Sequence, residues 1–233
     1  MSFPKLFTFG AMYFMRNLFF LLPAGFFILF GALLALLFSR EDIHMVINAW
    51  NSPFLDHLFR VWTFLGDGIW AGIVAVFLFF VRFRYGLLLS VAYGISGGAA
   101  QFLKLVFFSH IARPVKYFEL KGIDFNLHLI EGLVQHSWKS FPSGHTATAF
   151  VVFCLLSLML RSPGLKLFCL VLALGVAWSR MYLSQHFLMD VCAGAFLGIL
   201  SSFLAWFFVG RTTGKAFSKK SWMDQPLLKT RTK

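Results

Sequence analysis

Six apolar stretches account for most of the sequence, and each approaches the length that an α-helix needs to cross a bilayer. The hydrocarbon core of a membrane requires about 20 predominantly apolar residues in a helix. Each stretch contains at most one charged residue or histidine. They cover residues 17–39, 61–81, 83–103, 141–160, 167–183 and 191–210. The sequence therefore predicts an all-α polytopic membrane protein, built as a bundle of six transmembrane helices.

The composition favours one membrane domain over a soluble one. Hydrophobic residues make up 59% of the 233 residues and charged residues only 13%. A soluble domain usually has about 45–50% apolar and roughly 25% charged residues. Since a soluble core cannot absorb this surplus of apolar side chains, lipid must cover it. We expect residues 1–210 to form a single membrane domain, followed by a basic cytoplasmic tail at residues 211–233.

The basic residues are distributed unevenly between the two sides of the predicted bundle. With six spans both termini lie on one side, and that side carries thirteen Lys and Arg residues but one acid, Asp224. The other side carries eight basic residues and eight acids. The positive-inside rule then places both termini in the cytoplasm and loops 109–140 and 180–190 outside. The tail is expected to be a topology signal or, alternatively, a contact with anionic lipid.

The net charge of +12 by itself could indicate nucleic-acid binding. Its basic residues, however, lie mostly in short loops and in the tail, beside apolar spans, which is the pattern that sets membrane topology. We therefore expect the membrane and a lipid substrate as partners, with no nucleic acid and no obligate protein partner.

Ionisable side chains beside a membrane span are candidates for function, and they collect at the outward ends of the predicted spans. The set combines basic residues with two histidines and one carboxylate. Its members are Lys104, Arg113, His145, Arg180, His186 and Asp190. Such a set predicts an anion site with acid–base chemistry. A non-enzymatic anion channel or transporter is the alternative class, but it is expected to carry charges in the middle of several spans.

The pair His186 and Asp190 has the spacing of two residues on one face of a helix. The Asp190 carboxylate can then hold one imidazole nitrogen and leave the other free to attack or to transfer a proton. Arg180, six residues before His186, can bind phosphate oxygens with its guanidinium group. The alternative interpretation is a His–Asp pair that only caps a helix.

The run Pro142-Ser143-Gly144-His145 predicts a helix start that binds an anion. Proline suits the first helical turn, glycine permits close backbone approach, and the free N–H groups of a helix start attract anions. Ser143 adds a hydroxyl donor, and His145 can donate a proton to a leaving oxygen. The alternative is an ordinary helix cap followed by a histidine at the membrane interface.

Three further features are less specific. Lys104 closes the third span and Arg113 follows it, but both side chains could simply extend toward lipid headgroups. Asp67, flanked by two glycines near the outward end of the second span, either caps a helix or contacts the site. Residues 127–134 predict a short amphipathic helix on the bilayer surface, either as a lid or as packing over the bundle.

Together these residues resemble the three-part signature of the type 2 phosphatidic acid phosphatase family, which includes the vanadium haloperoxidases. The second part of the signature matches at Pro142-Ser143-Gly144-His145. The third part matches at Ser179-Arg180, His186 and Asp190 with the family's spacing. In the first part, eight residues separate Lys104 from Arg113-Pro114, where the family has six. The resemblance covers about residues 100–200, and the hydropathy excludes a soluble haloperoxidase.

The resemblance implies a metal-independent phosphatase that acts through a phosphohistidine. His186 would be the nucleophile, oriented by Asp190, and His145 would protonate the leaving lipid oxygen. The phosphate oxygens would be held by the side chains of Lys104, Arg113, Ser143 and Arg180 and by the backbone N–H of Gly144. Neither a metal nor another cofactor is implied.

The resemblance also implies a lipid phosphate or diphosphate as substrate. Undecaprenyl diphosphate, lipid A and lipids of the phosphatidate type fit the predicted orientation, which puts the active site on the periplasmic face of a bacterial inner membrane. The alternative reaction at the same site is transfer of the phosphate from the phosphohistidine to a second lipid.

Overall fold

The computed structural model describes residues 14–212 together with Gln225 and Leu227. Every regular element within those residues is helical. The α-helices are α1 Leu18–Leu37, α2 Arg40–Ala49, α3 Pro53–Trp62, α4 Gly68–Val81, α5 Phe83–Phe102, α6 Pro114–Lys121, α7 Gly144–Met159, α8 Pro163–Tyr182 and α9 Leu188–Thr212. A 3₁₀ turn, Thr63–Gly66, connects α3 to α4, and a π-helical turn, Leu103–Phe107, continues α5.

Length and composition allow several of these helices to cross a membrane. Leu18–Leu37, Phe83–Phe107, Pro163–Tyr182 and Leu188–Val209 each meet the requirement alone. The segments Pro53–Gly66 and Gly68–Val81 meet it together, with a bend of 54° between them. Large apolar side chains such as Phe26, Leu29 and Leu36 project outward from α1, which suits contact with lipid. The predicted all-α, membrane-spanning architecture is confirmed, while the count of six spans stays a prediction.

Helix α7 lies at the centre of the bundle. It is shorter than a usual span, at 16 residues, and it contacts α5, α8 and α9. Nearly all of its side chains are buried in protein, including Phe150 and Leu155. Because neighbouring helices surround α7, its first turn is brought among the ends of α5, α8 and α9.

The second predicted span is not one straight helix. The sequence predicts a continuous span over residues 61–81, but the chain bends at Asp67 and a new helix begins at Gly68. The Asp67 side chain accepts a hydrogen bond from the backbone N–H of Ile69 at 2.7 Å, which caps α4 and ends the preceding turn. The bend brings the turn Thr63–Gly66 into contact with α7 and α8.

The prediction of an amphipathic helix at residues 127–134 is wrong. This segment has no helical structure, and Glu131 and Gly132 form a turn in it, with Gly132 at a φ of 74°. Its backbone is bound instead to α2, because Asn48 accepts from the N–H of His128 at 2.8 Å and donates to its carbonyl at 3.0 Å. The helix in this loop is α6, which starts at Pro114.

The predicted boundary between the membrane domain and the basic tail is not tested, because the tail at residues 211–233 lies almost entirely outside the described residues. Arg211 and Thr212 complete α9, and Gln225 and Leu227 bond to the last turn of α4 and the start of α5. The carbonyl of Gln225 accepts from Phe83 N at 3.0 Å, and the N–H of Leu227 donates to Phe79 O at 3.0 Å.

His44 of α2 is buried beneath the turn that connects α8 to α9. Its Nε2 atom lies 3.1 Å from the hydroxyl oxygen of Ser184, and burial lowers the pKa of His44 from 6.5 to about 4. The neutral ring is therefore favoured in the folded protein, whereas the unfolded chain takes up a proton near pH 6.5. The resulting contribution to stability is present above pH 6.5 and is lost as the pH falls toward 4.

We expect lowering the pH from 7 to 5 to cost the wild-type protein about 2 kcal/mol through His44 alone. A His44→Gln variant keeps a side-chain donor near Ser184 but does not titrate in this range. Melting temperatures in detergent at both pH values test this, and the wild type should lose more stability than the variant. Equal losses would contradict a buried neutral ring at this position.

Candidate active site

The turn between α8 and α9 carries the predicted nucleophile. The N–H groups of Gln185 and His186 both donate to the carbonyl of Arg180, at 3.0 and 3.1 Å. Ser184 in the same turn has a φ of 53°, a left-handed conformation that reverses the chain. These bonds hold His186 close to the last turn of α8, so that Arg180 and His186 belong to one compact unit.

His186 and Asp190 form a buried pair, with exposed side-chain fractions of 2% and 6%. The Nδ1 atom of His186 lies 3.4 Å from Oδ2 of Asp190. The same oxygen accepts hydrogen bonds from the hydroxyl of Ser140 at 2.5 Å and from the N–H of Phe187 at 2.9 Å. Because Nδ1 faces the carboxylate, Nε2 is the nitrogen left for chemistry.

The environment of His186 favours the neutral ring. Burial lowers its pKa well below the usual 6.5, and the positive charges of Arg113, Arg180 and Lys104 lower it further. A neutral imidazole has a free electron pair on one nitrogen, which is the form required for nucleophilic attack. Arg113, Arg180 and Lys104 thus all lie close enough for their charges to act on this ring.

The start of α7 is attached directly to the His–Asp pair. Ser143 is the N-cap of α7, and its hydroxyl oxygen accepts from Thr146 N at 3.4 Å. The N–H of Ser143 donates to the carbonyl of Asp190 at 2.9 Å. A Cβ atom at Gly144 would meet nothing within 4 Å, so open space adjoins this helix start. Gly144, His145 and Lys104 line one cavity there, of about 450 Å³.

Two arginines are held rigidly in the site. Arg180 is buried and donates from Nη1 to the hydroxyl oxygen of Thr63 at 2.8 Å, while its buried Nε has no hydrogen-bond partner within the described part of the chain. Arg113 donates to Gln185 Oε1 at 2.9 Å and to the carbonyl of Trp138 at 3.1 Å. Burial lowers the pKa of Arg113, and the Asp190 carboxylate partly offsets this. Both guanidinium groups are thus fixed beside His186.

Lys104 lies in the π-helical turn that follows α5. A π-helical turn takes in more residues than an α-helical one, and a further turn at residues 108–110 follows it. The chain between Lys104 and Arg113 therefore accommodates its longer spacing without moving Lys104 away from the site. Its side chain is buried and its charge acts on both His186 and Asp190.

The structure thus brings together all the residues predicted for the site. It also brings in residues that spacing rules did not identify. Ser140 bonds to Asp190, and Thr63 bonds to Arg180. His136 lies on the exposed loop, where partial burial and the charges of Arg113, Arg180 and Lys104 lower its pKa. These residues are far apart in sequence, and no local pattern marks them.

Asp67, for which the sequence left a cap and a site contact open, makes both interactions. One carboxylate oxygen caps α4, and the other, Oδ2, lies 3.8 Å from Nε2 of His145. Among the described residues, no three His, Cys, Asp or Glu side chains come close enough together to hold a metal ion.

The profile of the PAP2 superfamily matches residues 85–213, more than half of the chain. The chain belongs to the PAP2 superfamily. The matched region contains all eight residues predicted for the site, from Lys104 to Asp190. It excludes the bend at Asp67, so the contacts of Thr63 and Asp67 with Arg180 and His145 come from outside the matched PAP2 region.

Two solved PAP2-like structures share the fold. The crystal structure of Aquifex aeolicus LpxE has 28% sequence identity and a TM-score of 0.60, covering 71% of this chain and 93% of that one. A transmembrane PAP2-type phosphatidylglycerolphosphate phosphatase from Bacillus subtilis has 24% identity and a TM-score of 0.60, covering 89% of this chain and all of that one. At that identity the second comparison concerns the fold alone.

One curated relative matches over a shorter stretch. It is the bacitracin transport permease protein BcrC of Bacillus licheniformis, 39% identical over 79 residues. The match spans 33% of this chain and 38% of the relative. The chain is thus an integral membrane protein of the PAP2 superfamily that is similar to bacterial membrane proteins.

Proposed function

We propose that this protein is a membrane lipid phosphatase that forms a phosphohistidine at His186. The observation that carries the proposal is a buried imidazole that favours its neutral form, with Nδ1 facing Asp190 and with the charges of Arg113, Arg180 and Lys104 acting on it. A neutral nucleophile with a single free nitrogen, surrounded by positive charge, suits attack on a phosphoryl group. Family membership supports the same conclusion.

The first half-reaction forms the covalent intermediate. Nε2 of His186 attacks phosphorus, and the bond between phosphorus and the leaving lipid oxygen, or leaving diphosphate oxygen, breaks. His145 donates a proton to that oxygen. Asp190 stabilises the positive charge that the phosphorylated ring acquires. The lipid product leaves with its hydroxyl or remaining phosphate.

The second half-reaction releases phosphate. His145, now neutral, accepts a proton from a water molecule, whose oxygen attacks phosphorus and breaks the bond to Nε2. Lys104, Arg113 and Arg180 stabilise the charge on the phosphoryl oxygens in both steps, together with Ser143 and the N–H of Gly144. Catalysis of this type depends on positioning and charge stabilisation, and none of these steps calls for a metal.

The substrate is a phosphorylated lipid presented from the bilayer. Undecaprenyl diphosphate, lipid A and phosphatidate-type lipids are the candidates. The uneven distribution of basic residues favours cytoplasmic termini and an active site on the periplasmic face of the inner membrane, in a bundle of six spans. A site on this face would act on lipids of the periplasmic leaflet.

Phosphate release by the purified protein tests the proposal. We expect the wild type to release inorganic phosphate from at least one of undecaprenyl diphosphate, phosphatidic acid and lipid A, each labelled in its terminal phosphate, and a His186→Ala variant to release none. Label recovered on a second lipid would instead establish transfer. If the wild type neither releases nor transfers label with any substrate, the enzymatic proposal fails and an anion channel or transporter becomes the better explanation.

A further inference from the structure

The bend between α3 and α4 touches two residues of the site from outside the matched family region. The bend segment, defined as Thr63–Asp67, contacts α7 and α8, the helices that carry His145 and Arg180. Its three small or polar residues each make a different contact with these helices. Three of these five consecutive residues thus contact the part of α7 or α8 that carries a predicted site residue.

Thr63 fixes the orientation of Arg180. Both side chains are buried, and the Thr63 hydroxyl oxygen accepts from Nη1 of Arg180 at 2.8 Å. The guanidinium group is planar, so one bond to Nη1 restrains the direction of its other donors. Nε of Arg180 is buried and has no partner among the residues described, which leaves a strong donor for a phosphate oxygen.

Gly66 allows the bend segment to pack directly on the start of α7. A Cβ atom at this position would lie 2.6 Å from the carbonyl oxygen of His145 and 2.6 Å from Cγ1 of Val176. Any side chain here would force α7 and α8 away from the bend. Glycine is thus required for the close approach that places the next residue beside the His145 ring.

The two carboxylate oxygens of Asp67 make different contacts. Oδ1 accepts from Ile69 N at 2.7 Å, which fixes the side chain as the cap of α4. Oδ2 is then directed at Nε2 of His145, 3.8 Å away. Burial and the positive charges of Arg180, Arg113 and Lys104 favour the neutral ring of His145, and the Asp67 carboxylate partly offsets them. The carboxylate also holds the ring in place from this side.

We propose that Thr63, Gly66 and Asp67 form a positioning motif for the phosphate site, in which Thr63 orients Arg180 and Asp67 orients the ring of His145. This inference rests on the proposed phosphatase function. Thr63 and Asp67 act through Arg180 and His145, and neither is assigned a contact with the reacting atoms. The motif adds a fourth sequence element, Thr-x-x-Gly-Asp, to the three that carry the chemistry.

The role proposed for Asp67 is tested by an Asp67→Asn substitution, which keeps an oxygen for the cap of α4 but removes the charge. We expect kcat for a lipid phosphate to fall about tenfold, with a much smaller loss for a nitrophenyl phosphate, whose leaving group needs no proton. In a His145→Ala background the same substitution should cause no further loss. Asp67→Ser, which also caps a helix, should behave like Asp67→Asn and serves as the second variant if the latter does not fold.

Asp42→Asn is the matched control, because it removes an exposed carboxylate from the first turn of α2. It should keep wild-type kinetics. The Asp67 assignment is overturned if Asp67→Asn lowers kcat equally with and without His145, or equally for both leaving groups, since a purely structural role would produce that result. Full activity of Asp67→Asn on a lipid phosphate also overturns it.

The role proposed for Thr63 is tested by Thr63→Val, which preserves the shape of the side chain but removes the oxygen that accepts from Arg180. We expect KM for the lipid phosphate and the inhibition constant of inorganic phosphate to rise about fivefold to tenfold, and Thr63→Ser to restore both. The role of Thr63 is overturned if Thr63→Val keeps the wild-type KM and inhibition constant. It is also overturned if Thr63→Ser does not restore them although its melting temperature is unchanged. A wild type that releases no phosphate from any lipid is a different result, since it removes the proposed function itself.

Discussion

Replacing His186 with alanine is expected to reduce phosphate release by about 10⁴-fold or more. The loss is this large because the substitution removes the only atom assigned to bond to phosphorus, Nε2. Lys104, Arg113 and Arg180 would still bind the phosphate, so KM should change far less than kcat. The measurement is single-turnover release from labelled lipid phosphate in detergent micelles.

The same experiment can detect the intermediate directly. Acid-labile label should remain on the wild-type protein after rapid denaturation in alkali, in which phosphohistidine survives, and should be absent from His186→Ala. Because His186 is buried, His186→Gln serves as a second variant that fills the space, and melting temperatures confirm the fold. His57→Ala is the matched control, since His57 is an exposed histidine of α3. Near wild-type release by both His186 variants would show that the nucleophile is assigned wrongly.

Replacing His145 with alanine is expected to slow hydrolysis of a lipid phosphate by about 10²- to 10⁴-fold. An alkoxide is a poor leaving group, so its departure depends on the proton from His145. A nitrophenyl phosphate leaves as a stabilised anion, and its turnover should fall by roughly tenfold or less, since only the later activation of water is affected. The ratio of the two losses measures the acid role.

Substrates with a graded series of leaving groups give the stronger form of this test. In the wild type, kcat should depend weakly on the acidity of the leaving alcohol, and in His145→Ala the dependence should become steep. Equal losses for lipid and nitrophenyl substrates would contradict general-acid catalysis by His145. Such a result would leave His186 and the positive charges around it as the only supported parts of the site.

The spans and the chemical character of the site could be predicted because both depend on local sequence. Hydropathy over about 20 residues decides whether a segment lies in lipid, and the described helices follow the apolar stretches closely. The pairing of His186 with Asp190 was predicted from a spacing of four residues on one helix, but His186 lies in the turn before α9 and only Asp190 lies in that helix. The longer interval after Lys104 is taken up by the π-helical turn and the turn at residues 108–110, and the role of Lys104 stays a prediction.

Other features depend on contacts between segments distant in sequence, and these were missed or wrong. The second span bends at Asp67, because capping of α4 overrides the apolar continuity of residues 61–81. Residues 127–134 form no helix: Asn48 binds the backbone of His128, and Glu131 and Gly132 form a turn. Ser140 belongs to the site only because its loop crosses the start of α9.

By itself, the sequence determined that this protein is an all-helical membrane protein, and it identified the residue types that collect at one end of the helices. These are consequences of side-chain hydropathy and of the order of the charged residues along the chain. Only the tertiary structure decided which oxygen holds His186, how Arg180 is aimed, and that Asp67 faces His145. Those contacts join residues up to 117 positions apart in the chain, and the packing of α7 among α5, α8 and α9 is what brings them within bonding distance.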